Sequence, residues 1–193
     1  MRFIKYHGLG NDFILLAPER ATPFDGPPLT PDDARSLCAR GTGIGGDGLV
    51  ALRPSSTADV RMELLNSDGT TPEMCGNGLR CLVKYAVEEL GLPASPLIVQ
   101  TVAGPKTCFA TTDAAGRVTS VRVDMGPVSF QPGDVPMALD AVPSATDEAV
   151  EWPVPCGERT FVATGVNVGN PHLVTFGDAT LSTARRWGPE LTG

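Results

Sequence analysis

Residues 75–81 read Cys-Gly-Asn-Gly-Leu-Arg-Cys and open the strongest amphipathic run of the chain. That placement makes Cys75 a candidate reactive thiol. A side chain at a helix N-terminus feels the positive end of the macrodipole and the unpaired N–H groups of the first turn. Both favour thiolate, the form that abstracts a proton or attacks an electrophile. The same N–H groups can hold a carboxylate. Gly76 and Gly78 let a ligand approach the backbone, and Asn77 adds amide groups at the same rim. A lone Cys is more often a packing residue, and it is these neighbours that set Cys75 apart. Cys81, beside Arg80 inside the helix, reads as packed. So do Cys38, on an apolar helix face, and Cys108, inside a strand. Cys156, in Pro-Cys-Gly, reads as part of a turn.

Three weaker signals accompany it. Asn11 follows Gly8-Leu9-Gly10 in a loop between strands. Asn66-Ser67-Asp68-Gly69 reads as a turn ending a strand, although turn chemistry alone accounts for Asn66 and Asp68. Asn170-Pro171-His172 lies between two strands, where Asn ordinarily caps a turn and His is ordinarily structural. These residues gain meaning only if their loops converge on Cys75. Gly41–Gly46 matches G-x-G-x-x-G, but a helix precedes it and a strand follows. That is the reverse of the dinucleotide-binding order, and the Lys of a phosphate loop is missing. A tight structural loop is the expectation.

The elements that would position these groups follow from pattern. Strands are expected at 1–6 and 13–17. A helix is expected at 31–40, with Thr30 as N-cap, Pro31 at N1, Asp32 and Asp33 in the first turn and Gly41 as the stop. Its apolar face is Ala34, Leu37 and Cys38. Strands follow near 49–52 and at 59–65, where Val60, Met62 and Leu64 share a face. Beyond Cys75, Leu79, Leu82, Val83, Ala86, Val87 and Leu90 recur with the spacing of one broad apolar helix face. Gly91 closes that helix and Pro93 prevents its resumption. Strands are then expected at 97–102, 106–111 and 117–125, with a turn at Asp113–Gly116. Residues 125–136 (MGPVSFQPGDVP) read as a boundary. This gives an N-terminal domain, 1–125, and a smaller C-terminal one, 126–193, with strands at 159–166 and 172–176 and a short helix near 182–187.

Bulk properties narrow the class. The 193 residues are 41 % hydrophobic, with 22 Gly and 18 Pro, which favours short strands and turns over a helical bundle. Net charge is −7 with no run of Lys or Arg, which disfavours nucleic acid and acidic membranes. No charged-then-apolar leader and no membrane-length apolar run are evident. Five Cys without paired metal spacing, and only two His, read as reduced thiols of a cytoplasmic protein with no zinc site.

Four stretches carry a family resemblance: HGLGNDF (7–13), GIGGDG (43–48), NSDGTTPEMCGNGLRC (66–81) and GNPH (169–172). Together they resemble diaminopimelate epimerase. The family's signature runs Asn-x-Asp-Gly-Ser-x4-Cys-Gly-Asn-Gly/Ala-x-Arg. This chain fits it from Asn66 to Arg80, with Thr70 in place of Ser. The resemblance implies an α+β fold of two similar domains, each an antiparallel sheet wrapped around a central helix. It implies a cofactor-independent epimerase that converts LL-diaminopimelate to the meso form for lysine and peptidoglycan synthesis. Two thiols would exchange a proton across the α-carbon, without pyridoxal phosphate, in a cytoplasmic, homodimeric enzyme. Carried over, Cys75 is one catalytic thiol and His172 is proposed to tune thiol ionisation. Gly76, Asn77, Asn11, Asn66 and Asn170 bind substrate. Some members use a Gln where this chain has Gly48.

The family's second Cys, in a Cys-Gly-x-Gly-like motif of the second domain, has no counterpart here. Nor do the Glu-Arg pair before it and the final segment that returns to the first domain. The expectation is a shortened member with an incomplete second domain, inactive alone. Two alternatives stay open: a related cofactor-independent racemase or isomerase, and a non-catalytic ligand-binding remnant. A cysteine hydrolase is disfavoured, because His172 is the sole candidate base and nothing evident orients it.

Overall fold

The structure is a computed structural model and describes residues 2–16, 22–135, 148–177 and 180–192. Met1, Ala17 and Pro136, each at the end of an expected segment, lie outside the described residues. The chain divides into two compact units, Met1–Met125 and Gly126–Gly193.

The first unit is built on a seven-stranded sheet whose strands lie side by side in chain order. They are β1 (Phe3–Gly8), β2 (Asn11–Leu16), β3 (Gly48–Arg53), β4 (Val60–Asn66), β5 (Leu97–Thr101), β6 (Gly104–Thr112) and β7 (Val118–Asp124). The fold class is α+β, with one correction of detail. The sheet is mixed, because β2–β3 and β4–β5 pair in parallel. Both connections cross over through a helix, α1 (Pro31–Cys38) and α2 (Gly76–Leu90) respectively, and a crossover returns a strand in the same direction.

The α2 helix packs on β1, β2, β3, β4, β6 and β7. It touches both edge strands, so the sheet curls around it. Leu79, Leu82, Val83 and Ala86 are fully buried on its inner face. Opposite them stand Phe13, Leu15, Val50, Leu52, Met62, Leu64, Val99 and Cys108. The alternate residues Ile14, Leu16, Leu49 and Leu65 face the other way, onto Ala34 and Cys38 of α1. Strands β2 and β3 are therefore covered on both faces, which explains their unbroken apolar runs. Each such side chain contributes roughly 1.5–3 kcal/mol by leaving water.

Helix α1 starts as expected. Thr30 and Asp33 form a reciprocal capping box behind Pro31. It stops earlier, at Cys38. The loop glycines then fold back on its open end: Gly43 N–H donates to Ala39 O, Gly45 N–H to Leu37 O and Gly46 N–H to Cys38 O. The amides of Gly43, Gly45 and Gly46 are thus engaged in capping a helix C-terminus and are not free to cradle a phosphate.

In the second unit, β8 (Trp152–Cys156), β9 (Arg159–Asn167) and β10 (Pro171–Thr175) form an antiparallel sheet with β9 central. Strand β8 was not foreseen, and Cys156 is its buried last residue rather than part of a turn. Pro153 and Pro155 hid it. Both are tolerated because β8 is an edge strand. Helix α3 (Leu181–Thr192) is longer than the expected 182–187 and continues through Gly188 and Pro189. Trp187 anchors it, buried edge-on against Phe161 with ring centroids 6.2 Å apart. A Cβ at Gly157 would stand 2.8 Å from the Trp187 ring, so glycine there makes room for the anchor.

Candidate functional site

Cys75 is the N-cap residue of α2, with extended backbone angles (φ −139°, ψ 98°). Its Sγ accepts the Gly78 N–H at 3.4 Å, and its carbonyl accepts Leu79 N–H at 2.9 Å. The N–H groups of Gly76 and Asn77 have no partner among the described residues. A half-buried thiol and two open amides therefore share the helix mouth. A Cβ at Gly78 would lie 3.5 Å from Cys75 Sγ and 3.4 Å from the Phe13 ring.

The other cysteines differ. Cys38, Cys81, Cys108 and Cys156 are all buried. Burial pushes Cys81 up to about 11 and Cys108 up to about 12. Burial also raises Cys38. Cys156 is raised by burial and by its contact, 3.5 Å, with the Glu190 carboxylate. A groove of about 350 Å³ borders Gly8, Arg80, Cys81 and Lys84, but Cys75 does not line it.

Asn11 comes to α2 on a hairpin. It is the first residue of β2 rather than part of a loop, paired with Gly8. The connecting turn is Leu9–Gly10 alone, both at positive φ (56° and 89°), the geometry that joins twisted antiparallel strands in two residues. Asn77 Nδ2 donates to Asn11 Oδ1 at 3.5 Å, and Arg80 Nη2 donates to Asn77 Oδ1. Asn11 Nδ2 donates in turn to Asp47 Oδ2 at 3.0 Å.

Asp47 ties three motifs together. Its Oδ2 accepts Asp12 N–H at 2.9 Å, its N–H donates to Asp12 O at 2.7 Å, and its O accepts Ser67 N–H at 3.1 Å. Arg40 spans Asp12 (2.6 Å) and Asp47 (2.7 Å), and Lys5 reaches Asp12 at 2.8 Å. The Arg40 guanidinium, then Lys5, hold the Asp12 carboxyl well below the usual carboxylate range.

Asn66 ends β4 opposite Gly48. Its Nδ2 donates to Thr70 Oγ1 at 3.0 Å, and Thr70 Oγ1 donates to Asp68 Oδ1 at 2.6 Å. That contact holds Asp68 below its ordinary value. Thr70 in the signature's Ser position thus supplies the hydroxyl that orders the turn. At Gly48 a Cβ would stand 3.0 Å from Leu65 O and 3.1 Å from the Phe13 ring, so a larger side chain has little room.

The first unit therefore gathers Cys75, Gly76, Asn77 and Asn11 at one helix end, with Asn66 at the end of β4, two strands over from β2. Asn170 and His172 belong to the second unit. There His172 Nε2 lies 3.2 Å from Asn170 Oδ1, and His172 is exposed. Asp47 and Arg80 escaped sequence reasoning. Each sat inside a quoted motif, and their charge among small polar residues was the available signal. Among the described residues, no cluster of His, Cys, Asp and Glu could hold a metal ion, and no helix is long and apolar enough to cross a membrane.

Residues 3–131 match the family model described as diaminopimelate epimerase. The chain is 42 % identical to a diaminopimelate epimerase of Heliobacterium modesticaldum, over 99 % of this chain and 66 % of that protein. It is 41 % identical to one of Desulfitobacterium hafniense, over 91 % of this chain and 60 % of that protein. The chain thus spans 60–66 % of the length of these curated relatives. Among solved structures it is similar to a probable proline racemase from Agrobacterium radiobacter, with TM-score 0.64, 16 % identity and coverage of 95 % of this chain and 56 % of that one. A hydroxyproline epimerase from Agrobacterium vitis gives TM-score 0.61 at 14 % identity, covering 95 % and 55 %. At such identities these two likenesses concern the fold.

Proposed function

The chain belongs to the diaminopimelate epimerase family, and from that premise we propose that it carries one half of a two-thiol proton exchange at the α-carbon of LL-diaminopimelate. The observation that carries this reading is Cys75 as N-cap of α2, beside the open N–H groups of Gly76 and Asn77. Those amides hold the carboxylate next to the reacting carbon, and they stabilise the negative charge that develops when the α-proton leaves. Cys75 removes or returns that proton on one face. Asn11, Asn66, Asn77 and Asn170 bind the polar groups of the substrate, and His172 tunes thiol ionisation. No cofactor has a part in this scheme.

Inversion needs a second acid–base group on the opposite face. Cys38, Cys81, Cys108 and Cys156 are buried with raised thiols, which unsuits them for that role. The 193-residue chain alone therefore binds substrate without inverting it. A cytoplasmic location and a homodimer complete the proposal. The test is incorporation of solvent deuterium at the α-carbon of diaminopimelate, comparing the chain with Cys75→Ala. No incorporation with inversion, read as formation of meso-diaminopimelate, is expected from either. Turnover that vanishes in Cys75→Ala would overturn the claim of inactivity and support the site. Calorimetric titration that detects no diaminopimelate binding would overturn the site itself.

A further inference from the structure

An Asn side chain can turn either end of its amide toward a neighbour. At the mouth of α2 two charged groups remove that freedom. A carboxylate only accepts. Asp47 Oδ2 lies 3.0 Å from Asn11 Nδ2, so the Asn11 NH2 is committed to Asp47 and its carbonyl turns to Asn77, 3.5 Å away. A guanidinium only donates. Arg80 Nη2 bonds Asn77 Oδ1, so the Asn77 NH2 turns to Asn11. The chain Asp47–Asn11–Asn77–Arg80 therefore has a single direction, from an acceptor end to a donor end. Asp47 is itself immobilised by Asp12 N–H at 2.9 Å and by Arg40 at 2.7 Å.

We infer that Asp47 and Arg80 are positioning residues that lock the amide polarity of Asn11 and Asn77 for recognition of an α-amino carboxylate. Each amide keeps one N–H and one carbonyl lone pair outside the chain. Together they suit a ligand that carries both an ammonium and a carboxylate. If either charged end is lost, an amide can flip and present the wrong polarity. The identity of the ligand rests on the proposed function, whereas the locking rests on the hydrogen bonds alone.

The test uses the 193-residue chain, reading Asn side-chain amide resonances by NMR and diaminopimelate affinity by calorimetry. Asp47→Asn is nearly isosteric but can offer NH2 to Asn11. It should move the Asn77 side-chain resonances, one residue removed along the chain of bonds, and weaken binding about tenfold. Arg80→Met should move the Asn11 side-chain resonances, and Arg80→Lys, which also only donates, should restore them. A merely structural Arg80 would make Met and Lys behave alike and would spread shifts along the α2 backbone. Unmoved Asn77 resonances in Asp47→Asn, together with unmoved Asn11 resonances in Arg80→Met, overturn the inference. If Asp47→Asn fails to fold, the Arg80 variants decide. If the unmutated chain does not bind diaminopimelate, the ligand assignment falls while the resonances still decide the locking.

Discussion

Gly8 lies against Asn77 so closely that a Cβ at position 8 would stand 3.3 Å from both the Cβ and the carbonyl oxygen of Asn77. This approach lets the β1–β2 hairpin bring Asn11 onto the first turn of α2. The neighbouring atoms are largely backbone, which cannot swing aside. Gly8→Val adds branched bulk at that contact. It is expected to destabilise the chain by roughly 1–3 kcal/mol, the usual cost of overpacking. The measurement is the urea midpoint. A variant as stable as the parent would show that the hairpin moves freely.

Cys75 is the half-buried exception among five free cysteines. Cys81 and Cys108, held at about 11 and about 12 by burial, stay protonated near neutrality. A chromogenic disulfide reagent at about pH 8 should therefore titrate one thiol quickly in the native chain and the rest only after denaturation. Cys75→Ala should abolish the fast phase. A fast phase that survives that substitution would assign it to another thiol.

Arg53 is 5 % exposed and lies inside a cage of acceptors. Its Nε bonds Glu63 Oε2 at 2.5 Å, and its guanidinium also donates to the carbonyls of Phe24, Gly26 and Pro27 while stacking 4.5 Å from the centre of the Phe24 ring. Glu63 also accepts Leu29 N–H at 2.9 Å. The pair thus straps the segment that leads into α1. Removing the carboxylate leaves a buried cation without its counter-charge. Glu63→Gln is expected to cost about 3–5 kcal/mol. A double variant, Arg53→Met with Glu63→Gln, should be less destabilised than Glu63→Gln alone, as thermal melts would show.

Much of this architecture was readable from pattern because local signals agreed with the fold. The α2 face, the Thr30 cap and the alternation at Val60, Met62 and Leu64 all reflect one period and one core. Legibility failed where tertiary contacts outvoted local chemistry. Two prolines hid β8, whose edge position tolerates them. The helix expected near 182–187 continues through Gly188 and Pro189, with Trp187 packed on Phe161 just before them. At the site, residue types pointed to Cys75 and the asparagines. The roles of Asp47 and Arg80 emerge only from which atoms of Asn11 and Asn77 they face. For Asp47 that information belongs to pairing between distant segments, whereas Arg80 meets Asn77 within one turn of α2 and only the choice of atoms was hidden.

Asp12 couples the same region to pH. Hydrogen bonds from Arg40 and Lys5 hold its folded-state carboxyl far below the free value of 3.8. A carboxyl that is more acidic when folded contributes stability that is fully present above its unfolded value. That contribution is lost as pH falls through the folded one. Asp12→Asn should therefore lower the urea midpoint near neutrality and flatten its decline below about pH 4. Arg40 is 61 % exposed, so salt should shrink the difference between the two proteins. An unchanged acid limb would place the acid sensitivity at other carboxylates.

The glycine loop after α1 offers a comparison within a single motif. A Cβ at Gly43 would lie 2.2 Å from Ser36 O and 2.7 Å from Leu37 O, inside the backbone of the helix end that the loop caps. A Cβ at Gly41 would meet nothing within 4 Å. Gly43→Ala must push the loop off the α1 carbonyls, with the loss of the Gly43 N–H bond to Ala39 O at 2.8 Å. Its expected cost is about 3 kcal/mol, at the upper end for overpacking. Gly41→Ala should be neutral or slightly stabilising, by up to about 1 kcal/mol, because it restricts the unfolded chain. A loop evolved to cradle a ligand against its backbone would be sensitive at Gly41, whose surroundings are open. A loop that caps a helix is sensitive at Gly43. Urea denaturation of the two variants decides between these, and a larger loss at Gly41 than at Gly43 would overturn the capping role.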